Sequence, residues 1–188
     1  YIQLPPENNP FLGVRGIRLF RTHPELLEEQ LHAIFSAAGE KRIKIMFPMV
    51  STVEEFIEAK AFAKEVAKKH AFDISHLFFG MMIEVPSVLF LLKEFNEVVD
   101  FYSIGTNDLA QYLFATERTH PLLKTDELSP VLFSAIQAIL EKATRPVSLC
   151  GELAAHKDAI PALVDLGITT LSVSPKRIAR TKEVIRHV

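Results

Sequence analysis

Residues 101–108 read Phe101-Tyr102-Ser103-Ile104-Gly105-Thr106-Asn107-Asp108 and decide the fold. The apolar part predicts a short buried strand that breaks at Gly105, and three small polar residues follow it at once. This pattern is typical of a strand that delivers polar side chains to the mouth of an α/β fold. In the alternative interpretation, Asn107 or Asp108 only caps a helix that begins near Leu109.

The rest of the chain repeats this alternation of apolar and helical segments, with few hairpin signals. Five strands are predicted, at about 43–49, 78–84, 101–105, 147–150 and 169–173. Such alternation predicts a parallel sheet with right-handed crossovers, in which the carboxyl ends of all strands lie at one edge. Five strands fit either an open doubly wound sheet or part of a barrel, because a complete eight-stranded barrel takes about 250 residues.

Helices are predicted between the strands from the 3.6-residue period and from start and stop signals. The predicted segments are 24–38, 53–69, 87–96, 109–115, 129–143 and 155–166, with a final helix from Pro175. Residues 1–13 are rich in proline and asparagine and predict an irregular lead-in. We expect residues 1–188 to form one domain.

Composition and charge exclude several classes of protein. The chain has 188 residues, of which 48% are hydrophobic and 23% charged, as in globular domains. The net charge of −2 gives no general attraction to nucleic acid or anionic membrane. We expect no signal peptide and no membrane span. Cys150 is the single cysteine, which excludes an intrachain disulfide and predicts a reducing, cytoplasmic location.

Two carboxylates are predicted to share the carboxyl edge of the sheet. Glu84 ends one predicted strand and Asp108 follows the next. Two buried negative charges repel each other, so a cation between them is the simple solution. Mg²⁺ suits the site because it takes one or two protein carboxylates and fills its other positions with water and substrate oxygens. The alternative pairs Glu84 with a lysine or arginine of the core.

Three further residues are candidates for chemistry at this edge. Arg15 and Arg118 are able to grip a phosphate or carboxylate with a planar fork, although most arginines merely lie on the surface. Cys150 ends an apolar strand, where the common interpretation is inert core packing. A thiol with a pKa near its free value of about 8.5 is mostly protonated at neutral pH and is able to donate a proton to an enolate.

Five motifs, in order along the chain, resemble those of the phosphoenolpyruvate-utilising enzymes. They are 9–18 (NPFLGVRGIR), 45–49 (IMFPM), 80–86 (GMMIEVP), 100–112 (DFYSIGTNDLAQY) and 150–154 (CGELA). Within that family, Tyr112 and the Ser-Ile-Gly-Thr form are most similar to enzyme I of the bacterial sugar phosphotransferase system, a group of phosphoenolpyruvate–protein phosphotransferases. Nitrogen-related and multiphosphoryl-transfer relatives belong to the same group.

The resemblance implies a parallel (β/α)8 TIM barrel that binds phosphoenolpyruvate and Mg²⁺ at its C-terminal face. This chain would hold only the later portion, about strands 4–8. By position, the resemblance implies that Glu84 and Asp108 bind the metal. Asp108 would also bind substrate, together with Arg15, Asn107 and Arg118. Cys150 would protonate the enolate to give pyruvate. The resemblance further implies a homodimer.

The phosphoryl group would pass to a histidine on a separate domain and then to a phosphocarrier protein. That histidine motif and two further substrate arginines of the family are absent, so we expect a fragment that is inactive alone. Sugar transport and nitrogen-related regulation remain alternatives for the pathway served. Two other functions stay open: a pyruvate phosphate dikinase or phosphoenolpyruvate synthase fragment, and a non-catalytic dimerisation or regulatory module.

Overall fold

Four parallel strands form one sheet in the computed structural model, which describes residues 4–123 and 125–188. The strands are β1 (Lys44–Phe47), β2 (Phe78–Ile83), β3 (Tyr102–Gly105) and β4 (Val147–Cys150). They lie side by side in chain order, so every connection is a crossover that returns to the same end of the sheet. The predicted parallel α/β architecture is confirmed.

Helices fill the connections between these strands. The α-helices are α1 (Arg18–Thr22), α2 (Pro24–Ala38), α3 (Val53–Lys69), α4 (Leu92–Phe95), α5 (Thr106–Leu113), α6 (Pro130–Lys142), α7 (Ile160–Asp165) and α8 (Ile178–Ile185). Short 3-10 helices cover Pro10–Leu12, Pro86–Phe90, Glu152–Ala155 and Pro175–Arg177. None of the described helices combines the length and the hydropathy that a bilayer-spanning segment requires.

One face of the sheet packs against the apolar core. Met81, Ile83, Tyr102 and Ile104 are all fully buried in the two central strands. Gly80 allows β2 and β3 to approach, since a Cβ at this position would lie 2.4 Å from the carbonyl oxygen of Phe101.

The sequence offers Ser51 or Thr52 as the cap of the helix predicted at 53–69, and in the structure Thr52 caps α3. The Thr52 hydroxyl accepts a hydrogen bond from the Glu55 main-chain N–H at 3.3 Å, and the Glu55 carboxylate accepts one from the Thr52 N–H at 3.3 Å. This capping box satisfies two N–H groups that the first turn of a helix leaves without partners. The same carboxylate also accepts from the Ser51 N–H at 2.7 Å, which fixes the turn after β1.

Three predicted segments differ from the structure. The fifth strand, 169–173, reduces to one isolated bridge between Leu149 and Leu171, because its other residues are largely exposed and only one face packs on the core. The predicted helix 87–96 is a 3-10 turn followed by the four-residue α4. The predicted helix 155–166 begins only at Ile160, after the 3-10 turn that follows β4.

The lead-in and the start of α5 also differ from the predictions. Residues 10–12 of the lead-in form a 3-10 turn, while residues 1–3 lie outside the described residues. Helix α5 begins at Thr106, three residues before the predicted start. The interpretation of Asn107 or Asp108 as its cap is wrong, because Gly105 holds the cap position and no side chain bonds to the helix end.

We predict that Thr52→Ala lowers the free energy of unfolding by about 1 kcal/mol, because the N3 amide of α3 loses its acceptor. Urea denaturation followed by circular dichroism measures the change. Thr169→Ala is the matched control, since Thr169 is exposed. Equal stability of the two variants would contradict the assigned cap.

Candidate active site at the carboxyl edge of the sheet

Three of the four strands deliver polar side chains to the same edge. Glu84 follows β2 directly, Asp108 lies in the first turn of α5 after β3, and Cys150 is the last residue of β4. The register pairs Gly105 of β3 with Cys150 of β4, which sets these strand ends at the same level. The parallel arrangement therefore collects the predicted residues at one end of the sheet.

Glu84 is a buried carboxyl group with one main-chain donor. Its side chain is 3% exposed, and its Oε1 accepts a hydrogen bond from the Met49 N–H at 2.6 Å. Burial raises the pKa of Glu84 to about 7; the Met49 N–H opposes this rise, and the negative charge of Asp108 adds to it. The pairing of Glu84 with a core lysine or arginine is not what the structure shows, because its direct partner is an amide.

Met49 presents that amide through an unusual backbone conformation. Its φ is +59°, in the left-handed region that residues other than glycine rarely adopt. The preceding Pro48 carbonyl accepts a hydrogen bond from the Ile17 N–H at 3.1 Å, and Gly16 packs so closely that a Cβ there would lie 2.8 Å from the Met49 Cβ. The lead-in, which in the structure extends beyond residue 13 to Ile17, just before α1, thus supports the turn that supplies the Glu84 partner.

Arg15 neutralises the second carboxylate. Its Nη1 and Nη2 donate to Oδ1 and Oδ2 of Asp108 at 3.3 and 3.4 Å. The Arg15 side chain is 31% exposed and that of Asp108 is 14% exposed, so the pair is partly shielded from water. The structure therefore joins a residue of the lead-in to the first turn of α5 across 93 positions of sequence.

The two carboxylates fit a hard divalent cation. The negative charge of Asp108 lies close enough to disfavour ionisation of Glu84. A cation bound between the two carboxylates would favour the ionised form instead. Within residues 4–123 and 125–188, no group of three or more His, Cys, Asp or Glu side chains is arranged to hold a metal. Two carboxylates match Mg²⁺, which keeps waters or substrate oxygens in its remaining positions.

Cys150 lies half-buried near these carboxylates. Its thiol donates to the Ile104 carbonyl at 3.4 Å, and the Ser103 hydroxyl lies 3.7 Å from the sulfur. Burial raises the pKa of the Cys150 thiol; Ser103 lowers it, and the charges of Glu84 and Asp108 raise it further. The thiol is thus neutral at pH 7, as proton donation requires, and not an activated thiolate.

Asn107 is held by the turn that follows β4. Its Oδ1 accepts from the Glu152 N–H at 2.9 Å, while the Thr106 hydroxyl donates to the Cys150 carbonyl at 2.8 Å. Gly151 has a φ of +101°, and a Cβ there would lie 2.3 Å from the Thr106 hydroxyl oxygen and 2.8 Å from Asn107 Oδ1. Only glycine allows this close approach.

Arg118 lies further out than the other predicted residues. It is exposed, and its main-chain N–H donates to Gln111 Oε1 at 3.1 Å. Its side chain lines a cleft of about 300 Å³ together with Thr106, Asn107 and Glu152. Within the described ranges, 4–123 and 125–188, its guanidinium forms no hydrogen bond or ion pair with another side chain.

Sequence reasoning missed four residues that shape this site: Met49, Gly151, Thr106 and Tyr112. The Tyr112 position was detectable, because it follows Asp108 by four residues and therefore shares its face of α5. The positive φ of Met49 carries no local signal, since methionine has no preference for that conformation.

The fold and the site together define an α/β domain of the barrel class, with its candidate site residues at the carboxyl ends of parallel strands. A family model described as PEP-utilising enzyme, PEP-binding domain, matches residues 1–188. The chain belongs to this family. The resemblance inferred from the five sequence motifs is confirmed.

Curated relatives carry phosphotransferase names. The chain is 41% identical over 193 residues to phosphoenolpyruvate-protein phosphotransferase of Bacillus subtilis, a match that covers 97% of this chain and 34% of the relative. It is 38% identical over 192 residues to multiphosphoryl transfer protein of Rhodobacter capsulatus, with 100% of this chain and 23% of the relative covered. The chain thus spans about a third or less of the length of these relatives.

Solved structures support the fold alone. Malate synthase of Haloferax volcanii, as a lead(II) complex, superposes with a TM-score of 0.63 over 88% of this chain and 51% of that chain, at 13% identity. The sheet is consistent with the later portion of a parallel TIM barrel, as expected from the sequence.

We predict that Glu84→Gln stabilises the metal-free chain at pH 8 but not at pH 4. The pKa of Glu84 is about 7 in the folded chain and 4.5 when unperturbed, so the folded state binds the proton more tightly. Stability therefore falls as pH rises from about 4.5 through 7, by about 3 kcal/mol for this group. Glutamine does not ionise, so Glu84→Gln removes this loss of stability. Its side-chain oxygen is still able to accept the hydrogen bond from the Met49 N–H.

Urea denaturation at pH 4, 6 and 8 without divalent cations measures this difference. Glu94→Gln is the matched control, because Glu94 is exposed on α4. If the difference in unfolding free energy between the parent and Glu84→Gln stays constant with pH, burial does not raise the pKa of Glu84.

Proposed function

We propose that this chain is the phosphoenolpyruvate-binding portion of a phosphoenolpyruvate–protein phosphotransferase. Such an enzyme transfers the phosphoryl group to a histidine on a separate domain and releases pyruvate. The observation that carries the proposal is the convergence of Glu84, Asp108, Arg15 and Cys150 at one edge of the sheet. The names of relatives at 36–41% identity favour a phosphotransferase over a dikinase or synthase.

Glu84 and Asp108 would hold Mg²⁺, in line with the chemistry of paired carboxylates. When bound, the cation supplies positive charge beside the phosphate and the developing enolate oxygen. In the structure, the charge on Asp108 is balanced by Arg15 instead. With a cation bound, Arg15 would give up at least part of its contact to Asp108, and its guanidinium would then be available to the substrate phosphate.

Asn107 and Arg118 would hold the same phosphate from the opposite side, and Asp108 would contact the substrate next to the cation. Asn107 is already oriented through its bond to the Glu152 N–H. Arg118 lies on the loop after α5, and its side chain lines the same cleft as Asn107. A fork of donors around a phosphoryl group stabilises the charge that spreads over its oxygens during transfer.

Cys150 completes the reaction as an acid. The bond between phosphorus and the enol oxygen breaks, its electron pair stays on that oxygen, and the phosphoryl group goes to a histidine nitrogen of the other domain. The resulting enolate takes the proton of the Cys150 thiol at its methylene carbon and becomes pyruvate. A thiol whose pKa is raised by burial keeps this proton until the enolate forms.

The proposal extends to the protein as a whole. The acceptor histidine would pass the phosphoryl group to a small phosphocarrier protein, and the barrel domains would pair as a homodimer. The family's use in sugar transport or nitrogen-related regulation applies to that larger protein. A cytoplasmic location suits a single cysteine that must stay reduced to act as an acid.

We predict that oxalate, a mimic of enolpyruvate, binds this chain only in the presence of Mg²⁺. Asp108→Asn should weaken that binding at least about tenfold, because one of the two carboxylates is lost. Isothermal titration calorimetry with and without Mg²⁺ measures both affinities. Asp165→Asn is the matched control, since Asp165 is exposed at the end of α7.

Unchanged, Mg²⁺-dependent oxalate binding by folded Asp108→Asn would refute the role of Asp108 as a metal ligand. If the folded parent chain fails to bind oxalate, the titration is repeated on the same chain extended upstream. Failure of the extended chain would refute the proposed function.

A further inference from the structure

Tyr112 has no part in the proposed chemistry, yet its hydroxyl contacts Arg15 and Met49, two residues of the site. It follows Asp108 by one turn of α5, so both side chains leave the same face of the helix. The ring is half-buried, and burial is the main cause of a raised pKa for its phenol. The hydroxyl is therefore neutral at any physiological pH.

The Tyr112 hydroxyl joins α5 to the lead-in. It donates a short hydrogen bond to the Phe11 carbonyl, 101 positions away in sequence. The same oxygen accepts from Nη1 of Arg15 at 3.5 Å and lies 3.7 Å from the Met49 sulfur. Its only proton is directed to Phe11, which leaves the oxygen lone pairs for the guanidinium.

Phe11 contributes a second contact to Arg15. The Phe11 ring lies under the guanidinium, with its centroid 5.4 Å from Cζ. The lead-in around it is fixed by Arg18, whose Nη1 donates to the Leu12 and Gly13 carbonyls at 2.9 and 3.3 Å. Tyr112 therefore anchors the segment that carries Arg15 and contacts the side chain itself.

We propose that Tyr112 is a positioning residue for Arg15. Its hydroxyl keeps the Arg15 guanidinium facing the substrate when Asp108 binds the cation. The inference rests on the proposed function, in which Asp108 gives up at least part of its contact to Arg15. Nη1 bridges Asp108 and Tyr112, so one contact persists when the other is lost. A neutral hydroxyl holds the guanidinium without cancelling its charge, and the full charge stays available for phosphate.

Positioning matters because a free arginine side chain has many rotamers. Ordering such a side chain on binding costs about 0.5–1.5 kcal/mol, which lowers affinity for the anion. A contact that restricts the rotamers beforehand removes part of that cost. Tyr112→Phe keeps the ring and its packing but loses the hydroxyl contacts to Phe11, Arg15 and Met49.

Calorimetric titration of oxalate in the presence of Mg²⁺ tests the proposal on the whole 188-residue chain. Tyr112→Phe should weaken oxalate binding about three- to tenfold, the range expected for the loss of one hydrogen bond. Titration with Mg²⁺ alone should be unchanged. In the Arg15→Gln background, Tyr112→Phe should have no further effect on oxalate affinity, because the two residues act as a unit.

Tyr102→Phe is the matched control. The Tyr102 hydroxyl donates to Asn96 at 3.0 Å inside the core, so its loss should lower the melting temperature but leave oxalate affinity unchanged. The proposal is overturned if Tyr112→Phe binds oxalate as the parent does. It is also overturned if the effect of Tyr112→Phe is the same with and without Arg15.

A second readout separates this proposal from the proposed function. The ¹⁵N guanidinium resonance of Arg15, assigned by its absence in Arg15→Gln, is recorded in the Asp108→Asn background without ligand. In the Asp108→Asn background, Tyr112→Phe should shift the Arg15 resonance to the chemical shift of an exposed arginine. This shift is expected whether or not the chain binds oxalate. An unmoved resonance overturns the positioning role, while failure of oxalate binding alone bears only on the proposed function.

Discussion

Two carboxylates that share one edge of a parallel sheet are the constraint on which the site depends. Glu84 is buried, and the nearby charge of Asp108 makes its ionisation harder. A fold selected only for stability would place an apolar residue there, since an unpaired buried charge is costly. The structure keeps both groups and balances them with one main-chain N–H and one arginine, each supplied from outside the sheet strands themselves.

The lead-in supplies or supports both balancing groups. Arg15 comes from it directly, and the Ile17 N–H bonds to Pro48, next to the strained Met49 whose N–H reaches Glu84. Tyr112 connects the same segment to α5. The site therefore forms where an irregular segment packs against the sheet, and the sheet alone does not make it.

The fold was largely predictable because its signals are local. Alternating apolar and helical segments indicated the parallel sheet, and Thr52 with Glu55 marked the start of α3 correctly. The prediction of a full strand at 169–173 was wrong, because a β-propensity pattern does not reveal whether both faces of a segment are covered by neighbours. Helix α5 began earlier than predicted, since Thr106 and Asn107 make tertiary bonds to the β4 turn in place of local caps.

The sequence by itself determined which residues reach the carboxyl edge, because parallel strands end at one side and Glu84, Asp108 and Cys150 follow strand ends. Only the tertiary structure decided their charge partners. Arg15 meets Asp108 across 93 positions, and Met49 meets Glu84 across 35. Such contacts depend on how a loop packs against the sheet, and no periodicity or propensity records that packing. Where a strand ends along the chain is a local property, whereas electrostatic balance in a buried site is set by distances between segments far apart in sequence.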